Sequence, residues 1–286
     1  MRRMIAIISL VVLMLIGIMI GGYPFISDLL MGMNLDSEVQ TYLNTALQLS
    51  SEEYDREIAR AEAYNKSLTG SFQIEDPFGE ETEADDEYYD LLNLDGTSVM
   101  ACIEVPILKI KYPIYHGTND DVLNKGIGHL KNTSLPIGGT GTHAVLTGHT
   151  GLSNAKFFTD IDKLEEGDVF YIYVLDQTLA YRIDQIQVVE PSDISLLKID
   201  TEKDYITLVT CTPYGRNTHR LLVRGVRIPY VESEKEVPPS QAEKSTYKEE
   251  YMEAVILGIS VMTGILLVYV LVRMIVRMWK KRRDYE

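Results

Sequence analysis

A thiol and a guanidinium stand on either side of a turn in the segment TLVTCTPYGRNTHR, residues 207–220. The β-branched and aromatic residues at 205–211 predict a strand, and residues 219–230 predict a second one. Proline, glycine and asparagine residues between them favour a turn. A hairpin centred on that turn sets Cys211 opposite Arg220, with Cβ atoms roughly 5 Å apart. The two side chains are then near enough to share one substrate.

A thiol acts as a nucleophile only beside a group that can exchange its proton, and the chain offers five histidines. His149 is the most suggestive, because HAVLTGHTGL carries a strand into Gly148 and leaves the imidazole at the strand end, where sites are usually built. A structural histidine and a buried, unreactive Cys211 remain the alternatives, because spatial adjacency cannot be read from a single sequence. The other four histidines are His116, His129, His143 and His219.

The ends of the 286-residue chain carry two long uncharged apolar runs, at residues 4–20 and 254–272. The second is about long enough to cross a bilayer, and the first is either a signal peptide or an anchor. Under the positive-inside rule, basic residues beyond the two runs predict that both termini are cytoplasmic and that the region between the runs is extracellular. These basic residues are Arg2, Arg3, Arg273, Arg277, Lys280, Lys281, Arg282 and Arg283.

The charge balance argues against a nucleic-acid partner, since the whole chain has a formal charge of -15. Residues 4–272, between the basic flanks, have 19 basic and 40 acidic side chains and therefore a net charge of -21. Such an acidic surface repels nucleic acid and anionic lipid headgroups, and it is also what ordinary solubility requires.

The region between the apolar runs divides into a helical part, an acidic stretch and a strand-rich part. Residues 34–68 follow a helical pattern, with Ser50 and Glu53 spaced as a capping box and Gly70 placed to end the helix. The acidic stretch IEDPFGEETEADDEYYD, residues 74–90, predicts a loop.

The strand-rich part contains seven short segments with β patterning and a predicted helix at residues 119–125. Seven or eight short strands in about 135 residues favour a mainly β fold, either a closed barrel or a sandwich. The predicted strands are residues 99–105, 110–115, 142–147, 169–175, 179–189, 205–211 and 219–230.

Taken together, the motifs resemble those of the sortases, the cysteine transpeptidases of Gram-positive cell surfaces. TLVTC is followed nine residues later by Arg220, and TGH lies 62 residues upstream of the cysteine. The sequence of residues 112–152 is similar to sequences of the class C, or pilin-polymerising, branch. The resemblance covers about residues 70–230 and implies a closed eight-stranded β-barrel with His149, Cys211 and Arg220 as catalytic residues. His143 does not sit at the motif position and is predicted to be structural.

The resemblance also implies a mechanism that needs no cofactor. Cys211 as thiolate attacks the Thr–Gly carbonyl of an LPXTG-type sorting signal and forms a thioacyl enzyme. His149 protonates the departing amine and later accepts a proton from the incoming one, a pilin lysine. Arg220 donates hydrogen bonds to substrate carbonyls or to the oxyanion. No cluster of ligands in the sequence suggests a metal.

The acidic stretch carries a second resemblance to pilin sortases, the tripeptide Asp76, Pro77 and Phe78. In the lids of that branch, the aromatic ring covers the catalytic thiol and the carboxylate pairs with the catalytic arginine. Pro77 fixes its φ angle and so holds the two side chains in a defined relation. The alternative is a polar loop with an incidental Asp-Pro turn.

Three other functions compete with that of a pilin sortase. A papain-like protease is excluded by chain order, because there the cysteine precedes the histidine and opens a helix. A housekeeping sortase that anchors proteins to peptidoglycan remains the close alternative, and a non-catalytic surface scaffold or adhesin is the alternative outside enzymology. The second thiol, Cys102, lies in the apolar segment SVMACIEV and is predicted to be core, since a disulfide would consume the nucleophile.

The predicted organisation has six parts, with a transmembrane helix at each end of an extracellular catalytic domain. In chain order they are a membrane or signal anchor (1–22), a helical segment with the lid (23–95), the sortase-type barrel (96–230), a polar linker (231–252), a transmembrane helix (253–273) and a basic cytoplasmic tail (274–286).

Overall fold

The computed structural model describes residues 2–68, 76–79, 86–94, 96–151 and 156–231, with Ile256, Gly258, Ser260, Gly264, Tyr269 and Arg273. The chain forms two compact units, one of Gly22–Glu243 and one of Met1–Gly21 with Lys244–Glu286. No helix among the described residues has the length and hydropathy expected of a membrane span. The predicted span at residues 254–272 lies mostly outside the described residues, and both predicted spans stay predictions.

Two helices, α1 (Arg2–Leu47) and α2 (Ser51–Ser67), precede the strands. The predicted capping box at the start of α2 is confirmed, because the Ser50 hydroxyl accepts from the Glu53 amide and the Glu53 carboxylate accepts from the Ser50 amide. Helix α2 ends at Ser67 with Leu68 as its C-cap, and Gly70, predicted to end it, lies outside the described residues.

A short third helix, α3 (Asp86–Asp90), corrects the prediction that residues 74–90 are a loop. Packing explains it, because Tyr88 is fully buried and its hydroxyl lies 2.8 Å from Nδ1 of His129 and 3.0 Å from the Gly117 amide. Burial of one aromatic ring outweighs the weak helix propensity of an acidic segment, an effect that local sequence does not show.

The strands form a closed eight-stranded barrel in the order β1-β2-β3-β4-β7-β8-β6-β5, which confirms the barrel prediction. Strand β3 was not predicted, since three residues are too few to show a period. Helix α4 (Asp120–Leu123) begins after Asn119, whose side chain caps it. The strands are β1 (Val99–Val105), β2 (Ile110–His116), β3 (Ile127–His129), β4 (Thr142–Thr147), β5 (Val169–Val174), β6 (Gln177–Val189), β7 (Asp204–Thr212) and β8 (His219–Ile228), with 3-10 turns at Pro106–Leu108, Ile161–Lys163 and Ser195–Leu197.

The antiparallel pairing of β7 with β8 sets Cys211 opposite Arg220, as the sequence predicts. On its other edge β7 pairs in parallel with β4, and Thr147 is the partner of Val209. Because β4 and β7 run in the same direction, the residues that follow β4 emerge at the same end of the barrel as Cys211. Pairing therefore brings the His149 loop to the thiol.

The adjacent strands β4, β7 and β8 have two faces, and the side chains on each face pack into a different cluster. Side chains such as Leu146, Leu208 and Val223 belong to the main core inside the barrel. The alternate residues Val145, Val209 and Leu222 form a second apolar cluster with Leu130 and Leu197, and Phe78 packs against it. We call this second surface the outer face. By strand alternation, Cys211 and Arg220 lie on the outer face, two residues beyond Val209 and Leu222.

Candidate active site

Cys211 and Arg220 are in direct contact at the end of the outer face. Nη1 of Arg220 lies 3.5 Å from Sγ of Cys211. The thiol is half-buried and free, whereas only 9% of Arg220 is exposed. A buried guanidinium needs hydrogen-bond acceptors, and the carbonyls of Asn217 and His219 each accept from Nη1 at 3.3 Å.

The main partner of Arg220 is Asp76, which lies 144 positions earlier in the chain. Nε donates to Oδ1 at 2.8 Å and Nη2 donates to Oδ2 at 2.6 Å, so the pair is bidentate. Such parallel, charge-assisted bonds are among the strongest that a side chain makes. The guanidinium edge formed by Nε and Nη2 is therefore occupied, and another acceptor can use it only after Asp76 has left.

Phe78 lies between the arginine and the histidine of the predicted triad. Its ring centroid is 4.9 Å from Cζ of Arg220 and 5.6 Å from the ring centroid of His149. A tight turn fixes this placement, since the Gly79 amide donates to the Asp76 carbonyl at 2.8 Å and Pro77 is buried. The structure thus places Asp76 and Phe78 together at the site, with the ring against the two residues expected to act with Cys211.

The position of His149 depends on the backbone at Gly148, between β4 and the loop that follows it. A Cβ atom at Gly148 would lie 2.7 Å from Ile127 Cδ1 and 2.9 Å from the Phe158 ring, so only glycine fits there. The Thr210 hydroxyl donates to the Gly148 carbonyl at 2.7 Å. This bond ties the residue before His149 to the residue before Cys211. No hydrogen bond joins His149 to Cys211 among the described residues.

Comparison with known proteins decides the family. The family model described as "Sortase domain" matches residues 103–228. The structure of sortase C from Streptococcus pneumoniae superimposes with a TM-score of 0.64 and 43% sequence identity, over 68% of this chain and 97% of that one. The chain belongs to the sortase family.

Other sortases extend the comparison to different organisms. Sortase C-1 from Actinomyces oris is 46% identical with a TM-score of 0.60, and the alignment covers 63% of this chain and 99% of that one. Sortase D of Bacillus subtilis is 30% identical over 44% of this chain and 62% of its own length. The chain thus spans less than two thirds of the length of the curated sortases that it matches.

Burial shifts the pKa values of Cys211 and His149 in this sortase in opposite directions. Burial raises the pKa of the Cys211 thiol, Arg220 opposes that rise, and the Asp76 carboxylate adds to it. Burial lowers the pKa of His149, and Asp120 opposes that decrease. A thiol with a raised pKa and an imidazole with a lowered pKa form a neutral pair at pH 7. The Cys211 thiol in this arrangement is therefore protonated at pH 7, whereas the thiolate is the nucleophilic form.

The other thiol and the other histidines of the sortase have structural surroundings. Cys102 is fully buried beside Tyr115 and Val99, and burial raises its pKa to about 12. His143 is also buried, with Nδ1 2.9 Å from the Lys198 carbonyl and Nε2 2.7 Å from the Thr207 hydroxyl. His116 and His129 are buried and face backbone carbonyls, and His219 contacts Glu190 at 3.3 Å.

Two contributors to the sortase site were missed from sequence. Thr210 precedes the thiol within TLVTC, but its bond to Gly148 depends on the pairing of β4 with β7. Asp120 opposes the lowering of the His149 pKa from the start of α4, and no local spacing links the two residues. Within the described ranges, no cluster of three or more His, Cys, Asp or Glu side chains is able to hold a metal ion.

Proposed function

We propose that this sortase is a cysteine transpeptidase of the pilin-polymerising class. It cleaves LPXTG-like sorting signals between Thr and Gly and joins the acyl group to a lysine amine of a pilin or another surface protein. The observation that carries the proposal is the bidentate pairing of Asp76 with Arg220 beside the Cys211 thiol. Similarity to the Streptococcus pneumoniae sortase C, whose structure was described in terms of catalysis and pilin substrate specificity, supports it.

The reaction begins when Asp76 and Phe78 leave the site. Loss of the Asp76 charge and entry of water both lower the pKa of Cys211, and its proton passes to neutral His149, so that a thiolate and an imidazolium form. Its sulfur adds to the threonine carbonyl carbon, and Arg220, now without its carboxylate partner, donates to the developing oxyanion. The carbon–nitrogen bond to glycine breaks as the imidazolium of His149 gives its proton to the leaving amine.

The second half-reaction reverses these roles with a new amine. A neutral lysine amine attacks the thioester carbonyl, and neutral His149 accepts the proton that the nitrogen loses. The carbon–sulfur bond breaks, an amide forms between the two proteins, and Cys211 leaves as the thiolate. No cofactor takes part, because each step exchanges only a proton and an acyl group.

Removing the lid contacts is expected to activate the thiol. If the open state is at most about 10% of the molecules, Asp76→Ala combined with Phe78→Ala raises the rate of Cys211 alkylation by at least about 10-fold. Hydrolysis of a short sorting peptide should rise with it. Polymerisation need not follow, since a pilin subunit displaces the lid through a larger contact surface. The measurement is the pair of rates in wild type and double variant.

A second bidentate pair provides the matched control for the lid variant. Arg224 donates to Asp184 at 3.0 and 2.8 Å, and the loss of this pair in Asp184→Ala should leave both rates unchanged. If the double variant also leaves both rates unchanged, Asp76 and Phe78 form an ordinary loop turn, and the pilin-class proposal loses its main support outside the barrel.

The Asp76 charge predicts a shift in pH dependence. Because the carboxylate adds to the raised pKa of Cys211, Asp76→Asn should lower that pKa, and thiolate should then form at lower pH. The alkylation rate plotted against pH should move toward lower pH, with faster alkylation at pH 7. Asp184→Asn should leave the curve in place. A curve that stays fixed or moves toward higher pH in Asp76→Asn contradicts the proposed electrostatics.

We further propose that both ends of the chain are anchored in the cell membrane and that the barrel faces the cell exterior. The apolar runs at residues 4–20 and 254–272 and their basic flanks support this arrangement. A reporter fused after Glu286 should be active in the cytoplasm, and protease added to intact protoplasts should digest the central region. Protease access to the C-terminal tag from outside overturns the arrangement.

The substrate proposal is tested with the full-length chain and candidate pilin subunits that carry a sorting signal. The expected product is a ladder of covalently joined subunits that resists boiling in detergent. Subunits with the acceptor lysine changed to arginine should be cleaved but not joined. Transfer to a peptidoglycan-type amine without any pilin ladder would identify a housekeeping sortase instead, and no cleavage at all would leave only a binding scaffold.

A further inference from the structure

Thr147, the last residue of β4, lies on the outer face one strand away from the thiol. Its Cα partner on β7 is Val209, whose side chain belongs to the outer-face cluster. Cys211 follows Val209 by two positions and therefore shares its face. Two residues along one strand and one step across the sheet correspond to roughly 8 Å between Thr147 and Cys211.

The hydroxyl of Thr147 has no hydrogen-bond partner among the described residues, although the side chain is fully buried. Nearby threonines on β4 and β7 show the contrast. The hydroxyls of Thr142, Thr207 and Thr210 each lie 2.6–2.7 Å from a partner. A buried hydroxyl without a partner costs free energy, and the exceptions in native proteins call for a specific explanation.

Strand pairing and alternation place this hydroxyl on the outer face beside apolar residues of the cluster against which Phe78 packs. Val145, Val209 and Leu222 line the outer face, and Phe78 packs against their cluster. A peptide that displaces Phe78 therefore meets an apolar floor that carries the Thr147 hydroxyl. The main-chain amides and carbonyls of an extended peptide lose water when they bind such a floor and need new hydrogen-bond partners.

We propose that the Thr147 hydroxyl is a substrate-binding group that hydrogen-bonds a main-chain amide or carbonyl of the sorting signal. An extended peptide advances about 3.3 Å per residue, so the bonded group lies about two residues from the carbonyl that Cys211 attacks. The inference rests on the proposed function, since it assigns a contact within the same peptide groove. It explains why a polar side chain occupies an otherwise apolar position.

The test compares Thr147→Val, which keeps the shape and removes the hydroxyl, with Thr147→Ser, which keeps the hydroxyl. Both substitutions are added to the full-length lid variant Asp76→Ala and Phe78→Ala, which is the reference enzyme. In that background, lid opening does not affect the affinity for the peptide. The probe is a short LPXTG-type peptide. Thr147→Val should lower kcat/KM by about 3- to 10-fold, mainly through KM, and Thr147→Ser should restore it.

Two further measurements separate binding from a structural role. The melting temperature of Thr147→Val should be unchanged or higher, because the variant removes a buried hydroxyl that has no partner. Thr210→Val, which removes a bonded hydroxyl, should melt at a lower temperature. The rate of Cys211 alkylation by a small reagent should not change in Thr147→Val, because the thiol and its neighbours are untouched.

Each remaining outcome overturns the inference in a distinguishable way. If Thr147→Val leaves kcat/KM equal to that of the lid variant, the hydroxyl does not bind the peptide. If Thr147→Val lowers the melting temperature, the hydroxyl has a structural partner. If the parent enzyme does not cleave the peptide, binding is measured with Cys211→Ala added. No binding there refutes the proposed function and this inference together, whereas binding that Thr147→Val leaves unchanged refutes only this inference.

Discussion

Replacing Cys211 with alanine is expected to lower the cleavage of a sorting peptide by at least about 10³-fold, because one sulfur atom carries the covalent step. The fold should persist, since the thiol is only half-buried and contributes little to packing. Cys102→Ala should keep near-normal cleavage, because that thiol is fully buried and its pKa is raised to about 12. The measurement is the rate of peptide cleavage by each purified variant.

The two cysteine variants control for each other. Cys102→Ala removes a fully buried side chain and is expected to cost more stability than Cys211→Ala, so a general loss of folding would affect it first. Circular dichroism and melting temperature establish that both variants are folded. Cleavage that survives in Cys211→Ala and disappears in Cys102→Ala would show that the nucleophile has been assigned to the wrong thiol.

Arg220→Lys is expected to lower cleavage by about 10²-fold, which is the typical cost of one lost oxyanion donor. Lysine keeps the positive charge but loses the planar fork of donors. That fork now makes two parallel bonds to Asp76 and a contact of 3.5 Å with the thiol, and a single ammonium cannot reproduce both. The loss should therefore appear in kcat, where oxyanion stabilisation acts, more than in KM.

The same substitution elsewhere on β8 supplies the control. Arg224→Lys replaces the guanidinium that pairs with Asp184 and should change cleavage by less than about 3-fold, since it is not part of the site. Arg220→Lys also weakens the pairing with Asp76 that holds the lid in place. Alkylation of Cys211 should therefore rise while cleavage falls. Near-normal cleavage in Arg220→Lys would show that only net charge matters at this position.

The register of one hairpin was predictable because the turn signals fix its centre. The pairing of Cys211 with Arg220 follows from the positions of the turn residues between β7 and β8, and the structure has the same register. The capping box of α2 was predictable for the same reason, because both partners lie within one helical turn. Short-range constraints of this kind are visible in the sequence itself.

Contacts between residues far apart in the chain could be predicted only from the resemblance to a known family, or could not be predicted at all. The bond between Asp76 and Arg220 joins residues 144 positions apart, and the sequence suggested it only through the resemblance to pilin sortases. The bond from Thr210 to Gly148 requires that β4 and β7 be neighbours, which hydrophobic patterning does not specify. Strand β3 is too short for any period, and α3 forms because Tyr88 is buried.

The unpartnered hydroxyl of Thr147 could not be predicted from sequence for a related reason. A threonine in a β-strand is ordinary, since its branched side chain suits the pleated sheet. Its burial and its lack of a partner depend on neighbouring strands and on the residues packed over the outer face. The structure therefore adds information at the groove, where several elements meet, more than within any single element.

Covalent capture of the acyl intermediate tests the central proposal most directly. The full-length chain is mixed with an LPXTG-type peptide without an acceptor amine, quenched in acid and analysed by mass spectrometry. The proposal predicts a mass increase equal to the peptide fragment up to threonine less one water, located on the Cys211 peptide and removed by hydroxylamine, as a thioester requires. An adduct on Cys102, or peptide cleavage that never yields an adduct on Cys211, contradicts the proposed mechanism.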